Sequence, residues 1–127
     1  PLNGRCAYVA PADYHLLIDR GSFALSTEGP VLYARPSIDV LFESAADTYG
    51  ASVVGVILTG ASADGAHGLA MIKAAGGLAL VQDPATAECR VMPEAAIAHT
   101  GVDRVLPLDD IAPTLMRLCQ ITPRGGA

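Results

Sequence analysis

A short apolar run followed at once by a polar, glycine-containing segment constrains this chain more than any other feature. Residues 53–58 read Val-Val-Gly-Val-Ile-Leu, which is typical of a strand buried on both faces of a parallel sheet. Residues 59–65 then read Thr-Gly-Ala-Ser-Ala-Asp-Gly, and residues 65–75 have the pattern of a helix. Such strand-to-helix junctions lie at the carboxyl edge of an open α/β sheet, where ligands bind. Asp64 is therefore the first candidate for a catalytic residue.

Length and charge narrow the class of protein. The 127 residues suffice for one domain, which we place at residues 1–122, with a flexible tail at residues 123–127. No apolar run approaches the ~20 residues of a membrane span. A net charge of −5 with scattered Lys and Arg argues against a nucleic-acid surface. Because the chain begins with Pro1 and is only 17% charged, we interpret it as a fragment whose surface is partly covered by a missing part.

The order of predicted elements indicates the fold. A helix begins after Ser37, a good N-cap, carries Asp39 in its first turn, covers a sheet and ends at Gly50. From residue 53 onward strands alternate with helices, which predicts a doubly wound, mostly parallel α/β sheet. The predicted strands are residues 5–9, 16–19, 23–26, 53–58, 78–82 and 104–106, and the later helices are residues 65–75, 93–99 and 110–119, the last capped by Asp109 with Pro113 in its first turn.

Asp64 and Ser62 each have a structural and a catalytic interpretation. Asp often caps a helix N-terminus without any catalytic role, whereas in a catalytic triad it holds a histidine in one tautomer and stabilises the imidazolium. Residues 60–64 come close to the nucleophile elbow G-x-S-x-G, with Ser62 at the nucleophile position but Asp64 where the motif has glycine. A loop serine that bonds to nearby backbone is the alternative for Ser62.

Three glycines and one methionine–proline pair also have structural interpretations. Gly60, Gly65 and Gly68 fit neither the dinucleotide-binding nor the P-loop spacing, and no lysine stands at the helix start. We therefore expect these glycines to let a helix pack closely on its strand. Met92-Pro93 is a core residue followed by a helix-starting proline.

The histidines and cysteines predict no metal site. His67 and His99 fall on predicted helices as solvated side chains, and we expect an ordered structural role for His15 together with Asp13. No pair of histidines has metal-ligand spacing on one helix face. The three cysteines are far apart and form no C-x-x-C pair. We expect neither a metal nor a cofactor.

Four stretches of the chain carry motifs in a fixed order: residues 8–16, 35–42, 55–66 and 92–108, which include Tyr-Val-Ala-Pro-Ala-Asp-Tyr-His-Leu, Arg-Pro-Ser-Ile-Asp-Val-Leu-Phe, Gly-Val-Ile-Leu-Thr-Gly and Met-Pro-Glu-Ala-Ala. Together they resemble the carboxyl-terminal part of the catalytic domain of the chemotaxis protein-glutamate methylesterases, the CheB type. The resemblance covers nearly the whole chain.

This resemblance implies a cytoplasmic hydrolase of chemotaxis signalling. Enzymes of this type hydrolyse glutamate methyl esters on the cytoplasmic region of chemoreceptors, and many deamidate glutamines there. They use a Ser-His-Asp triad on a doubly wound α/β domain, without metal or cofactor. Asp64 matches the triad aspartate. The resemblance also implies that the active-site loops contain Thr59, Gly60, Ala61, Ser62, Gly65, Met92 and Pro93.

The chain departs from the family pattern in ways that leave alternatives open. The family's serine and histidine lie in strands upstream of this chain, so the resemblance implies a missing N-terminal part and a receiver domain before it. Ala61-Ser62 stands where the family usually has Met-Gly, and residues 90–93 stand where it has Phe-Gly-Met-Pro. The alternatives are a catalytically degenerate domain that binds a receptor or partner, and a self-contained esterase using Ser62 with His99 and Asp103. Because of an exposed edge strand, we expect the chain alone to be a homo-oligomer or to need its missing segment.

Overall fold

The computed structural model describes residues 6–31 and 34–119 as a mixed α/β protein. Within those residues the strands are β1 (His15–Asp19), β2 (Ser22–Ser26), β3 (Val54–Ile57), β4 (Leu78–Gln82) and β5 (Arg104–Leu106). The helices are α1 (Ile38–Tyr49), α2 (Ala66–Ala74), α3 (Val91–His99) and α4 (Leu108–Leu118), and two short 3₁₀ turns lie at Gly50–Ser52 and Pro84–Thr86. None of these described helices is both long and apolar enough to cross a bilayer. The predicted tail at residues 123–127 lies outside the described residues.

The three strands after α1 form a parallel sheet in the order β3-β4-β5. Its core is one buried cluster, to which the strands, α2 and α3 contribute Ile57, Leu69, Ala79, Val81 and Ala96. Right-handed crossovers place successive helices on the same face when the strand order advances in one direction, which is why α2 and α3 share this cluster. The predicted α/β class and the parallel sheet are confirmed.

The first two strands form a separate antiparallel hairpin that packs against α1. Its turn contains Gly21, whose positive φ of 71° suits glycine. Polar side chains of α1 satisfy the backbone of β1, since the Ser44 hydroxyl accepts from the Ile18 N–H and the Thr48 hydroxyl donates to the Ile18 carbonyl. We predicted that α1 packs on a sheet, and this hairpin is the sheet on which it packs. The other main neighbour of α1 is α2.

The ends of α1 follow the sequence signals. Ser37 is the N-cap, with extended backbone and its hydroxyl oxygen 3.5 Å from the Val40 nitrogen, and Gly50 is the C-cap with a φ of 51°. Ala45 and Ala46 on the apolar face are buried, and Ile38 and Phe42 pack on the core cluster. This places the N-terminus of α1 directly beside the start of α2.

Several predicted boundaries were wrong. The expected strand at residues 5–9 is absent from residues 6–9, where no described strand offers a partner and Val9 is 93% exposed. The last helix begins at Leu108 after the N-cap Pro107, and not at Asp110 after an Asp109 cap, because the Asp110 N–H bonds the Pro107 carbonyl and closes a turn earlier. Pro113 consequently lies inside α4, beyond its first turn, where its missing N–H removes one helical hydrogen bond.

Candidate active site

The junction between β3 and α2 holds a buried carboxylate at the carboxyl edge of the sheet. Asp64 is only 2% exposed and comes immediately before Gly65, the N-cap of α2. Gly65 has a φ of 103°, which residues with a side chain rarely adopt, and a Cβ there would overlap Ile57 and press on Ile38. This turn therefore needs glycine, and it directs the Asp64 side chain toward α1.

The N-terminus of α1 supplies every hydrogen bond that the Asp64 carboxylate accepts within the described residues. Oδ1 accepts from the Ser37 hydroxyl at 2.7 Å and from the Asp39 N–H at 3.0 Å. Oδ2 accepts from the Ile38 N–H at 2.6 Å. The first free N–H groups of a helix carry partial positive charge and favour an anion. These three donors hold the carboxylate in one orientation.

A second aspartate makes the arrangement reciprocal. Asp39, in the first turn of α1, accepts from the Gly65 N–H at 3.0 Å and from the Gly68 N–H at 2.7 Å through Oδ1. Asp64 thus caps α1, and Asp39 caps α2. Each helix supplies the acceptor that the other one needs, so the two N-termini are fixed relative to each other.

Gly68 allows this exchange because it brings the two helices together. A Cβ at Gly68 would lie 2.7 Å from the Phe42 Cβ and 3.0 Å from the Asp39 Cα. We had expected the glycines to bring the helix close to its own strand. That holds for Gly65, whose Cβ would meet Ile57, but the close neighbour of Gly68 is α1.

Within the described residues no cation pairs with Asp64. The ion pairs within the described residues join His67 to Glu43 and Lys73 to Asp103, and neither involves this carboxylate. The donors that the described residues supply to it are all neutral, namely two backbone N–H groups and one hydroxyl. Such a carboxylate remains able to stabilise a positive charge that approaches its free lone pairs. The described residues contain no group of three or more His, Cys, Asp or Glu that could hold a metal ion.

The loop before Asp64 is fixed by the segment that leads into α3. The Thr59 hydroxyl donates to the Cys89 carbonyl at 3.0 Å and accepts from the Cys89 N–H at 2.7 Å. Gly60 exchanges backbone hydrogen bonds with the same segment, donating to Cys89 and accepting from the Met92 N–H. A Cβ at Gly60 would lie 2.7 Å from the Met92 methyl carbon, so glycine is needed there for packing.

The buried side chain of Gln82, at the end of β4, also holds the loop that begins at Thr59. Its amide oxygen accepts from the Thr59 N–H at 3.0 Å, and its nitrogen donates to the Thr86 carbonyl at 3.1 Å. Pro93, in the first turn of α3, is also buried. No motif in the sequence marks Gln82, although a polar residue at the end of an apolar strand was the signal available.

Comparison with known proteins identifies the family. The sequence profile of the CheB methylesterase family matches residues 1–115. The chain belongs to the CheB methylesterase family. It is similar, with 55% identity over 114 residues, to a Leptospira interrogans protein provisionally named protein-glutamate methylesterase/protein-glutamine glutaminase. That match covers 89% of this chain and 59% of the relative.

Two further CheB-family proteins give the same result. A protein-glutamate methylesterase/protein-glutamine glutaminase of Anaeromyxobacter dehalogenans is 46% identical over 118 residues, which are 93% of this chain and 35% of the relative. The crystal structure of the Thermotoga maritima CheB methylesterase catalytic domain matches with a TM-score of 0.83 and 33% identity, over 87% of this chain and 61% of that one. The chain therefore spans about three fifths or less of the proteins that it matches.

The structure brings together some of the residues expected at a CheB site and separates others. Gly60 contacts Met92, Thr59 bonds Cys89 of the same segment, and Asp64 and Gly65 lie against the start of α1. The Ser62 hydroxyl accepts from the Asp64 N–H at 3.1 Å, which is the local turn interaction that a loop serine commonly makes. The expected loop residue Ala61 is exposed and makes no hydrogen bond within the described residues.

None of the three histidines contacts the Asp64 carboxylate. His67 and His99 are exposed, as predicted, and their rings meet edge to face with centroids 6.4 Å apart. His15 is buried, but its ring bonds the Gly29 carbonyl and the Ser37 N–H instead of Asp13. A histidine at the site would therefore have to come from outside the described residues.

Asp103, the acid considered for an alternative triad, is committed elsewhere. It accepts from the Ala79 N–H at 2.7 Å and from the Lys73 ammonium at 2.9 Å. The Ala79 hydrogen bond, and then the Lys73 bond, hold the pKa of the Asp103 carboxyl below its ordinary value. Asp103 thus ties the C-terminal end of α2 to the start of β4 and has no hydrogen bond to His99.

Sequence reasoning did not foresee the roles of Ser37 and Asp39 at the site. Both were interpreted as local helix-start signals, and Ser37 is indeed the N-cap of α1 and Asp39 lies in its first turn. Their bonds to Asp64, Gly65 and Gly68 join positions 25 to 29 residues apart, so no local pattern could reveal them. The signal available in the sequence was the Arg-Pro-Ser-Ile-Asp motif at residues 35–39. It holds a second polar residue, Asp39, beyond the serine that a helix cap requires.

Proposed function

We propose that this chain contributes the triad aspartate, Asp64, to a protein-glutamate methylesterase that demethylates chemoreceptors. The observation that carries the proposal is the buried Asp64 carboxylate, which three neutral donors hold at the carboxyl edge of the sheet without a cation. A carboxylate of this kind suits the task of orienting a histidine and stabilising the imidazolium that forms during acyl transfer.

The nucleophilic serine and the histidine come, in this proposal, from a preceding part of a longer protein. The matched relatives are longer than this chain, which agrees with such a part. The β3 strand forms one edge of the described sheet, and its neighbour Leu58 is 42% exposed. An apolar edge of this kind is normally paired or covered. Further strands of the same protein would cover it, and without them this chain would self-associate.

The reaction is acyl transfer. The serine oxygen attacks the carbonyl carbon of the glutamyl methyl ester while the histidine takes the hydroxyl proton. The histidine returns that proton to the departing methoxide, which leaves as methanol. Water then attacks the acyl-enzyme, gives its proton through the histidine to the serine oxygen, and releases the glutamate side chain. Asp64 holds the imidazole in one tautomer throughout and stabilises it when it is charged.

The same acyl-enzyme accounts for a second reaction. A glutamine side chain would release ammonia where the ester releases methanol, after which both reactions share the hydrolysis step. The names of the Leptospira and Anaeromyxobacter relatives carry both activities, which supports deamidation as a further activity of the parent protein. The substrate is the cytoplasmic region of a methylated receptor, so the parent protein acts in the cytoplasm, under the control of a receiver domain.

The residues around Asp64 frame the site. Thr59, Gly60, Met92 and Pro93 form its rigid border, since the hydrogen bonds to residue 89 and the packing of Met92 on Gly60 leave that loop little freedom. Ala61 and Ser62 lie at the tip of the loop, where Ser62 bonds the Asp64 N–H. We assign these residues to the border of the site and not to the chemistry.

Methanol release from methylated receptor tests the proposal. The longer protein that contains this chain should release methanol, this chain alone should not, and Ser62→Ala in the longer protein should retain activity. Methanol release by this chain alone that Ser62→Ala abolishes would instead identify a self-contained esterase. No release by either protein, together with retained binding of the receptor, would identify a binding domain without catalysis.

A further inference from the structure

The Ser37 side chain makes a stronger contact with Asp64 than with its own helix. Its hydroxyl lies 2.7 Å from Asp64 Oδ1, whereas the Val40 nitrogen that it caps is 3.5 Å away. A hydroxyl that donates to a carboxylate makes a short, charge-assisted bond. The first interaction has that character, and the second is at the limit of a hydrogen bond.

Ser37 is itself held in place by a buried histidine. The His15 Nδ1 accepts from the Ser37 N–H at 3.2 Å, and the other ring nitrogen, Nε2, lies 2.9 Å from the Gly29 carbonyl. The two contacts require the tautomer that carries its proton on Nε2. His15 is 1% exposed and Ser37 is 2% exposed, so neither side chain exchanges these partners for water.

We propose that Ser37 is a positioning residue for Asp64, fixing the plane in which the carboxylate faces the catalytic histidine. Oδ1 receives two donors from α1, and Oδ2 receives one. Without the hydroxyl, only the Ile38 and Asp39 N–H groups would restrain the carboxylate, one on each oxygen. The carboxylate would then rotate more freely about the Cβ–Cγ bond and hold the histidine ring less firmly in one orientation. This inference rests on the proposed function of Asp64.

The charge that Asp64 presents should change as well. Each hydrogen bond to a carboxylate disperses part of its negative charge. With one donor fewer, the carboxylate attracts the imidazolium more strongly, and the histidine stays protonated to a higher pH. The acid limb of the pH–rate profile should therefore move toward higher pH. The other titratable groups beside Ser37 and Asp64 are His15 of β1 and Asp39 of α1, which the substitution leaves in place.

The experiment compares Ser37→Ala, Ser37→Thr and Ser44→Ala in the complete methylesterase. Ser37→Thr keeps the hydroxyl, and Ser37 lines an open, mostly apolar pocket of about 110 Å³. Ser44→Ala removes a hydroxyl from the same helix that bonds Ile18 and Leu41 but not Asp64. The readouts are kcat and KM for methanol release across pH, together with the unfolding midpoint in urea.

We expect Ser37→Ala to lower kcat about tenfold at unchanged KM and to move the acid limb to higher pH. Ser37→Thr should restore both quantities, and Ser44→Ala should lower the unfolding midpoint without moving the acid limb. An unchanged pH profile and kcat in Ser37→Ala, or the same loss in Ser44→Ala, would overturn the inference. Should the complete enzyme release no methanol, or Asp64→Asn retain full turnover, the proposed function itself would fail instead.

Discussion

Helix α2 has an aspartate at each end, and the two differ in every property that matters for catalysis. Asp64, before its N-terminus, is buried, receives three neutral donors and has no cation beside it in the described structure. Asp103, beside its C-terminal end, is more exposed and pairs with Lys73. A carboxylate already paired with a cation has little charge left for an approaching histidine. The comparison gives Asp103 a stabilising role and supports the proposal that Asp64 is the catalytic aspartate.

Each end of α2 also has a glycine with positive φ, which gives the largest expected difference in stability. Gly65→Ala should destabilise the complete domain by about 3 kcal/mol, because backbone strain adds to the overlap of the new Cβ with Ile57. Gly76→Ala carries similar strain at a φ of 92°, but its Cβ would meet only Ala51 at 3.3 Å and should cost about 1 kcal/mol. Urea unfolding measures both. Equal losses would show that overlap at the junction is unimportant.

The lowered pKa of Asp103 predicts a dependence of stability on acid. Because the folded protein lowers this pKa, the unfolded chain binds the proton more readily, so stability is lost as pH falls. The contribution of Asp103 is complete above about pH 4 and declines below it. Asp103→Asn should cost about 1 kcal/mol at pH 7 and flatten the decline below pH 4 relative to the unsubstituted protein.

Lys73→Met separates the two partners of Asp103. The Ala79 N–H bond is the main cause of the lowered pKa, and this substitution leaves it in place. The variant should therefore retain most of the acid dependence in urea unfolding measured from pH 2.5 to 7. Loss of the whole dependence in Lys73→Met would assign the effect to the ion pair instead.

The exposed link between α1 and α2 should have the smallest effect. Glu43 and His67 lie 3.2 Å apart, with side chains 44% and 59% exposed. Glu43→Gln should change the free energy of unfolding by less than about 0.5 kcal/mol, since water screens such pairs. A loss as large as that of Gly65→Ala would mean that the surface contact, and not the buried exchange of caps, joins the two helices.

The sequence predicted the elements and the location of Asp64 well, because both depend on local patterns. The apolar run at residues 53–58 and the glycines after it suffice to place a carboxylate at the edge of a parallel sheet. The hydrogen-bond partners of that carboxylate could not be predicted from local patterns, because they lie 25 to 27 residues away in the sequence. The sequence pattern interprets Asp39 as a charge that favours its own helix, yet its carboxylate caps α2. Tertiary packing brings Asp39 to that helix, whereas capping rules based on sequence consider only residues up to three positions away.

The same limit explains the errors at the edges of the fold. The expected strand at residues 5–9 has the right composition, but a strand forms only where another strand pairs with it. His15 was assigned to Asp13, two residues away, whereas its ring bonds partners 14 and 22 residues away. Long-range hydrogen bonds thus decide both the caps of the helices and the orientation of the site.

Turnover of Asp64→Asn and Asp103→Asn, measured side by side in the complete methylesterase, tests the central claim most directly. Methanol release should fall by about 10³ to 10⁴ in Asp64→Asn and remain unchanged at pH 7 in Asp103→Asn, with both proteins folded by near-ultraviolet circular dichroism. Full turnover in Asp64→Asn, or equal losses in the two variants, would contradict the assignment of Asp64 as the catalytic aspartate.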